Sequence, residues 1–112
     1  MNCEGVWKVE MAGPYGWERL ATAFMRDGEY LAASANHYSV GSYKQDGHNV
    51  AISMLVTQHG GLRTAFGIKS PTKLHVTSKC KIKKDTITGT SKAKGVKKHD
   101  ILIRLTRLEN FK

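Results

Sequence analysis

A chain of 112 residues with 40% hydrophobic content holds enough apolar mass for one core without staples and is too short for several domains. It carries 18 Lys/Arg against 9 Asp/Glu, a net charge of +9, and no apolar run approaches the ~18 residues that a spanning helix needs. Disorder and helical membrane insertion are thereby excluded, and the first seven residues, with neither a basic n-region nor an apolar h-region, point to the cytoplasm. The charge is unevenly placed: residues 1–60 hold four Lys/Arg against six Asp/Glu, and 61–112 hold fourteen against three. An acidic partner or a nucleic acid is the usual counterpart of such asymmetry. Cys3 and Cys80 lie far apart with no CxxC spacing, which reads as two reduced thiols serving as packing residues.

In chain order, Gly5 to Met11 alternates Trp7, Val9 and Met11 with Lys8 and Glu10, the period of a half-buried strand. The Ala12 to Gly16 stretch breaks it, and the extended pattern resumes from Trp17 to Arg26. Asp27-Gly28 then supplies a two-residue turn that sets Arg26 opposite Glu29, Met25 opposite Tyr30 and Phe24 opposite Leu31. A second hairpin, counted outward from Asp46-Gly47, sets Tyr43 opposite Val50, Gly41 opposite Ile52, Ser39 opposite Met54, Val40 opposite Ser53 and Tyr38 opposite Leu55. Gly41 in mid-strand marks a sharp bend that a barrel requires.

The pattern fails from Gln58 to Thr72, where Leu62, Ala65, Phe66 and Ile68 suit a packed plug or an irregular lid. Lys73 to Ala93 is a third hairpin turning at Lys84-Asp85. Its outer face meets lysine with threonine: Lys83 with Thr86, Lys81 with Thr88, Lys79 with Thr90 and Lys92 with Thr77. Its inner face is small, with Ser78, Gly89, Ser91 and Ala93 leaving room for a bulky neighbour or for a cavity. Residues 95–100 turn the chain, and Ile101, Ile103 and Leu105 alternate in a last strand that closes on the first. Eight strands with short turns and no helical stripe predict an all-β fold, a single up-and-down antiparallel barrel over residues 1–112.

No catalytic or metal constellation stands out. His37, His48, His59, His75 and His99 show no HxH or HxxH spacing, and neither a nucleophile elbow nor a phosphate-binding glycine loop is present, so the expectation is a non-enzyme without a cofactor. The basic face of Lys79, Lys81, Lys83, Lys92 and Lys94, continued by Lys97 and Lys98, reads as a solubilising surface or a binding surface. No aromatic residue interleaves with those charges, so any nucleic-acid contact there is a weak phosphate interaction. Trp7, Trp17, Tyr30, Tyr38 and Tyr43 are assigned to the core.

Gly5-Val6-Trp7-Lys8-Val9, Asp27-Gly28 with the run Tyr38-Ser39-Val40-Gly41-Ser42-Tyr43, Gly89, and Leu105-Thr106-Arg107-Leu108 together resemble the GrlR-like family. These are small bacterial proteins with a lipocalin-like barrel, named for a negative regulator of type III secretion genes. The resemblance implies a homodimer that modulates transcription by sequestering an activator protein. It also implies a partner-binding loop at Lys44, Gln45, Asp46 and Gly47, where the family's named regulator has an acidic run and this chain has one acid. A different, acidic partner, or a different role altogether, fits that departure. The competing class is a lipocalin-like carrier of a small apolar ligand, with Ser78, Gly89, Ser91 and Ala93 lining its cavity.

Overall fold

The computed structural model of the protein describes residues 2–13, 16–34, 37–58, 73–93 and 101–110. The loop read from Gln58 to Thr72 therefore lies, beyond Gln58, outside the described residues, as do Lys94, Lys97, Lys98, His59, His99 and the turn of 95–100. Eight strands run as β1 (Gly5–Gly13), β2 (Gly16–Arg26), β3 (Glu29–Ala33), β4 (His37–Asp46), β5 (Asn49–Gln58), β6 (Lys73–Lys83), β7 (Thr86–Ala93) and β8 (Ile101–Glu109). Each pairs antiparallel with the next, and β8 pairs with β1, so the sheet is a closed barrel. The eight-stranded architecture expected from the turns is thus the one observed. No helix among the described residues is long and apolar enough to cross a membrane.

Alternation decides what faces inward. Trp7, Val9 and Met11 of β1, Val50, Ile52 and Met54 of β5, Leu74, Val76, Cys80 and Ile82 of β6, and Ile101, Ile103 and Leu105 of β8 are all buried. The first hairpin has the predicted register, with Asp27 and Gly28 both at positive φ (53° and 80°), the mark of a type I′ turn. The third hairpin also matches pair for pair, from Lys83 with Thr86 to Val76 with Ala93.

The second hairpin differs by one residue in its turn. Asp46 pairs with Asn49, so the loop is Gly47-His48, and Gly41 meets Met54, Tyr43 meets Ile52, Ser39 meets Val56, Val40 meets Leu55 and Tyr38 meets Thr57. Gly47 alone takes positive φ (62°) there, which is the glycine-first pattern of a type II′ turn. Both turns keep the same residues on the inner face, so side-chain alternation does not choose between them.

Two aromatics assigned to the core are outside. Tyr38 shares its parity with Val40 and is 42% exposed. Trp17 is 43% exposed because β2 carries one extra residue between Arg19 and Ala21 opposite Val9/Glu10, and a bulge of this kind reverses the alternation beyond it. Arg104, ion-paired to Glu10 at 3.1 Å, lies over the Trp17 ring at 4.2 Å. Trp7 and Tyr30 are core, and Tyr43 is partly buried against the core cluster.

One end of the barrel is sealed by its turns. Carbonyls of Gly28, His48 and Asp85 each accept a 2.8 Å hydrogen bond from a strand beyond their own hairpin, from Tyr43, Ile82 and Arg107 respectively. A second bulge, between Val6/Trp7 on β1 and Glu109/Arg107 on β8, re-aims Arg107. Its Nε donates to Asp85 Oδ1 at 2.8 Å, its Nη atoms donate to the carbonyls of Asn2 and Glu4, and its guanidinium lies 4.4 Å from the Trp7 ring centroid. The amino-terminal segment is thereby held across the end. Cys3 is buried beneath it, its carbonyl accepting from Trp7 Nε1 at 2.9 Å.

Gly41 and Gly89 are where the wall bends. A Cβ on Gly41 would fall on the Ser53 carbonyl oxygen and 2.7 Å from Met54 Cα, and one on Gly89 would fall on the Lys79 carbonyl oxygen and 2.6 Å from Cys80 Cα. Both obstacles are backbone, which cannot swing aside. Gly41→Ala and Gly89→Ala are each expected to cost about 3 kcal/mol, read from urea midpoints. Gly47→Ala, with nothing within 4 Å but a positive φ, should cost only about 1 kcal/mol.

Both cysteines are free and buried. Burial, with Cys3 adding its charge, pushes the Cys80 thiol from 9.0 up to about 12. The folded thiol keeps its proton where the unfolded one loses it, so this contribution to stability is complete below pH 9 and is lost as pH rises toward 12. The melting midpoint should fall across that window, and Cys80→Ala should flatten the fall, leaving a remainder to Tyr30, whose hydroxyl is also raised by burial.

Candidate functional site: the outer wall

The residues singled out from the sequence fall on two faces of one wall. Ser78, Ser91 and Ala93 point inward and are buried, and Ser78 Oγ and Ser91 Oγ are hydrogen-bonded to each other at 2.7 Å. Each hydroxyl therefore finds its partner across β6 and β7, and the inner small residues are spanned by a polar bridge. Gly89 lies two residues before Ser91 on β7, opposite Cys80.

The four residues matched to the family's partner loop are the end of β4 and its turn. Lys44 and Asp46 point outward, Gln45 donates from Nε2 to the Gly47 carbonyl at 3.0 Å, and Gly47 opens the turn. Lys79, Lys81, Lys83 and Lys92 are exposed on β6 and β7 as expected. Register brings the two sets together. Lys44 pairs with Ala51, Ala51 with Lys79 and Lys79 with Thr90, while Asp46 pairs with Asn49, Asn49 with Lys81 and Lys81 with Thr88.

An open groove of about 580 Å³ lies over these rows, bordered by Lys44 and Asp46 on one side and by Lys79 and Lys81 on the other, with Ala51 between. It continues past those lysines to Cys80 of β6 and to Thr88, Gly89 and Thr90 of β7. Among the described residues no carboxylate pairs with Lys44, Lys79, Lys81 or Lys83. Their charges are free to act on something outside the chain.

A second surface was not read from the sequence. Phe24 of β2 pairs with Leu31 of β3, Leu31 with Val40 of β4, and Val40 with Leu55 of β5. All four are exposed, at 42%, 50%, 54% and 40%, and Tyr38 lies two residues along from Val40 on the same face. They form one unbroken apolar row across four strands, with Val6 at one end and His75 at the other. The signal was present in the Phe24/Leu31 pair. Placing Val40 opposite Ser53 broke the row, and the true register restores it.

Chemistry of other kinds is sparse. Among the described residues no three His, Cys, Asp or Glu side chains gather as metal ligands would. His37 contacts Ser34 Oγ at 3.0 Å and His75 contacts Ser53 Oγ at 3.4 Å, both local contacts within the wall. No protein-family model matches this chain, and no curated protein matches it.

Proposed function

We propose that this protein is a non-enzymatic regulator of the cytoplasm that modulates transcription by binding a partner protein such as an activator, and that it works as a homodimer joined through its outer apolar row. The row of Phe24, Leu31, Val40 and Leu55 carries the reading. Four large side chains near half exposure, with Tyr38 beside them, leave on the order of 400 Å² of contiguous apolar surface, the size of patch that is commonly functional. A standard interface needs roughly 800 Å² from each partner, apolar at its centre and polar at its rim. The row supplies such a centre, and a straight, uncharged row is complementary to itself under a twofold axis.

The carrier reading is weaker on two counts. The inner wall carries Trp7, Met25, Ile52, Ile82, Ile87, Ile103 and Leu105 with under 2% of each exposed, and the end of the barrel beneath Cys3 is closed by the Arg107 contacts.

Affinity pull-down from the native cell should return a transcription regulator with the barrel. A co-purified lipid in place of a protein would replace this reading by that of a carrier. For the dimer, sedimentation at micromolar concentration should show two copies. Leu31→Glu should weaken self-association by about 30-fold, the equivalent of roughly 2 kcal/mol at the centre of an interface, while leaving the melting midpoint within a few degrees. A wild-type monomer at these concentrations would remove the row as a dimer surface.

A further inference from the structure

We infer that the trough over β5 binds an extended acidic peptide segment of the partner, with carboxylates at alternate positions; the inference rests on the reading of the chain as a protein-binding barrel. The floor of the trough is small: Asn49 and Ala51 point outward along β5. Its two sides are unequal, because the β4 side carries the carboxylate of Asp46 beside Lys44 whereas the β6 side is wholly basic. Lys44 stands on the β4 side, and Lys79 and Lys81 stand on the β6 side two residues apart, with Lys83 continuing their row past the end of the trough.

Strand geometry sets the dimensions. Neighbouring strands are about 4.8 Å apart, so the β4 and β6 walls on either side of Ala51 are roughly 10 Å apart, the width that one extended chain fills. Alternate residues of a strand are separated by about 6.7 Å, and the same spacing separates the side chains at i, i+2 and i+4 on one edge of an extended peptide. Two acidic residues so spaced meet Lys79 and Lys81 one for one and a third reaches Lys83 beyond the trough, while the residues between them face Lys44 and Asp46, where uncharged side chains fit best.

The closed barrel limits how the peptide is held. No strand among the described residues offers a free edge, because β8 completes the sheet against β1, so the peptide gains no backbone ladder and is held by side chains. Charge complementarity then supplies the attraction, and it is screened over about 8 Å at physiological ionic strength. Nucleic acid is the less suitable occupant. The lysines of this face alternate with threonines, alanine and asparagine, and nothing there provides the aromatic platforms on which bases stack.

The test uses two fluorescently labelled decapeptides of equal composition, one alternating Glu with Ser and one with five Glu followed by five Ser, together with a ten-nucleotide single-stranded DNA. The alternating peptide should bind most tightly, and its affinity should fall steeply with salt. Lys79→Glu combined with Lys81→Glu and Lys83→Glu should weaken it at least tenfold with an unchanged far-ultraviolet spectrum and melting midpoint. Ala51→Trp, which fills the trough without changing charge, should weaken it comparably, and this separates a shaped site from a diffuse positive field. Equal affinity for the two peptides, tighter binding of the DNA, or indifference to Ala51→Trp would each overturn the inference. If the triple variant still recovers the same partner from the native cell, the trough is not the contact, and the protein-binding reading stands without it.

Discussion

Everything in this barrel depends on the closure of β8 against β1. Until that seam forms, two strands present unpaired backbone along their edges, and the inward faces of Trp7, Val9, Ile103 and Leu105 have no opposite wall to pack on. The seam is not a plain ladder. It contains a bulge opposite Trp7, and the residue that the bulge turns, Arg107, reaches the Asp85 turn, the amino-terminal carbonyls and the Trp7 face at once. With only 10% of its side chain exposed, this cation is held by charge, hydrogen bonds and an aromatic ring together, which is what makes its burial tolerable. Closure and end-sealing are thus one structural event.

The two glycine bends serve the same constraint from the opposite side. A sheet of eight strands closes only if it coils strongly, and at Gly41 and Gly89 the neighbouring backbone occupies the space that a side chain would take. The exterior follows from this shape. The apolar row crosses β2 to β5, and the basic trough lies over β4 to β7, so the two surfaces share only β4 and β5. An up-and-down barrel gives each strand one wet face, and here that face is differentiated around the circumference.

Much of the fold was legible in the residues. With Lys84-Asp85 as the turn, Lys79, Lys81 and Lys83 of one strand fall opposite threonines of the other, and the third hairpin follows that register. Asp27-Gly28 supplies both positive φ values of its turn. The second hairpin was ambiguous because Asp46-Gly47 and Gly47-His48 are each acceptable turns and leave every side chain on the same face. Trp17 was illegible for a different reason: a bulge adds one residue to the count without leaving a mark in the alternation. Surface features suffered most. In β3, Tyr30 and Leu31 are adjacent and both apolar, so periodicity does not say which faces the core, and a row across four strands exists only in the pairing between strands. The groove is a property of the same pairing, which joined Lys44 to Lys79 across Ala51.

The seam also has a temporal meaning. Glu10 and Arg104, ion-paired across it, are 94 residues apart in the chain, whereas the hairpins form between near neighbours. During synthesis the first seven strands emerge as a curled, open sheet, with the β1 edge bare for several seconds at ordinary elongation rates of roughly 5–20 residues per second. Loop closure over so long a separation is slow. The nascent protein is therefore at its most adhesive just before its last strand appears, and the apolar row and the unpaired β1 edge are then exposed together.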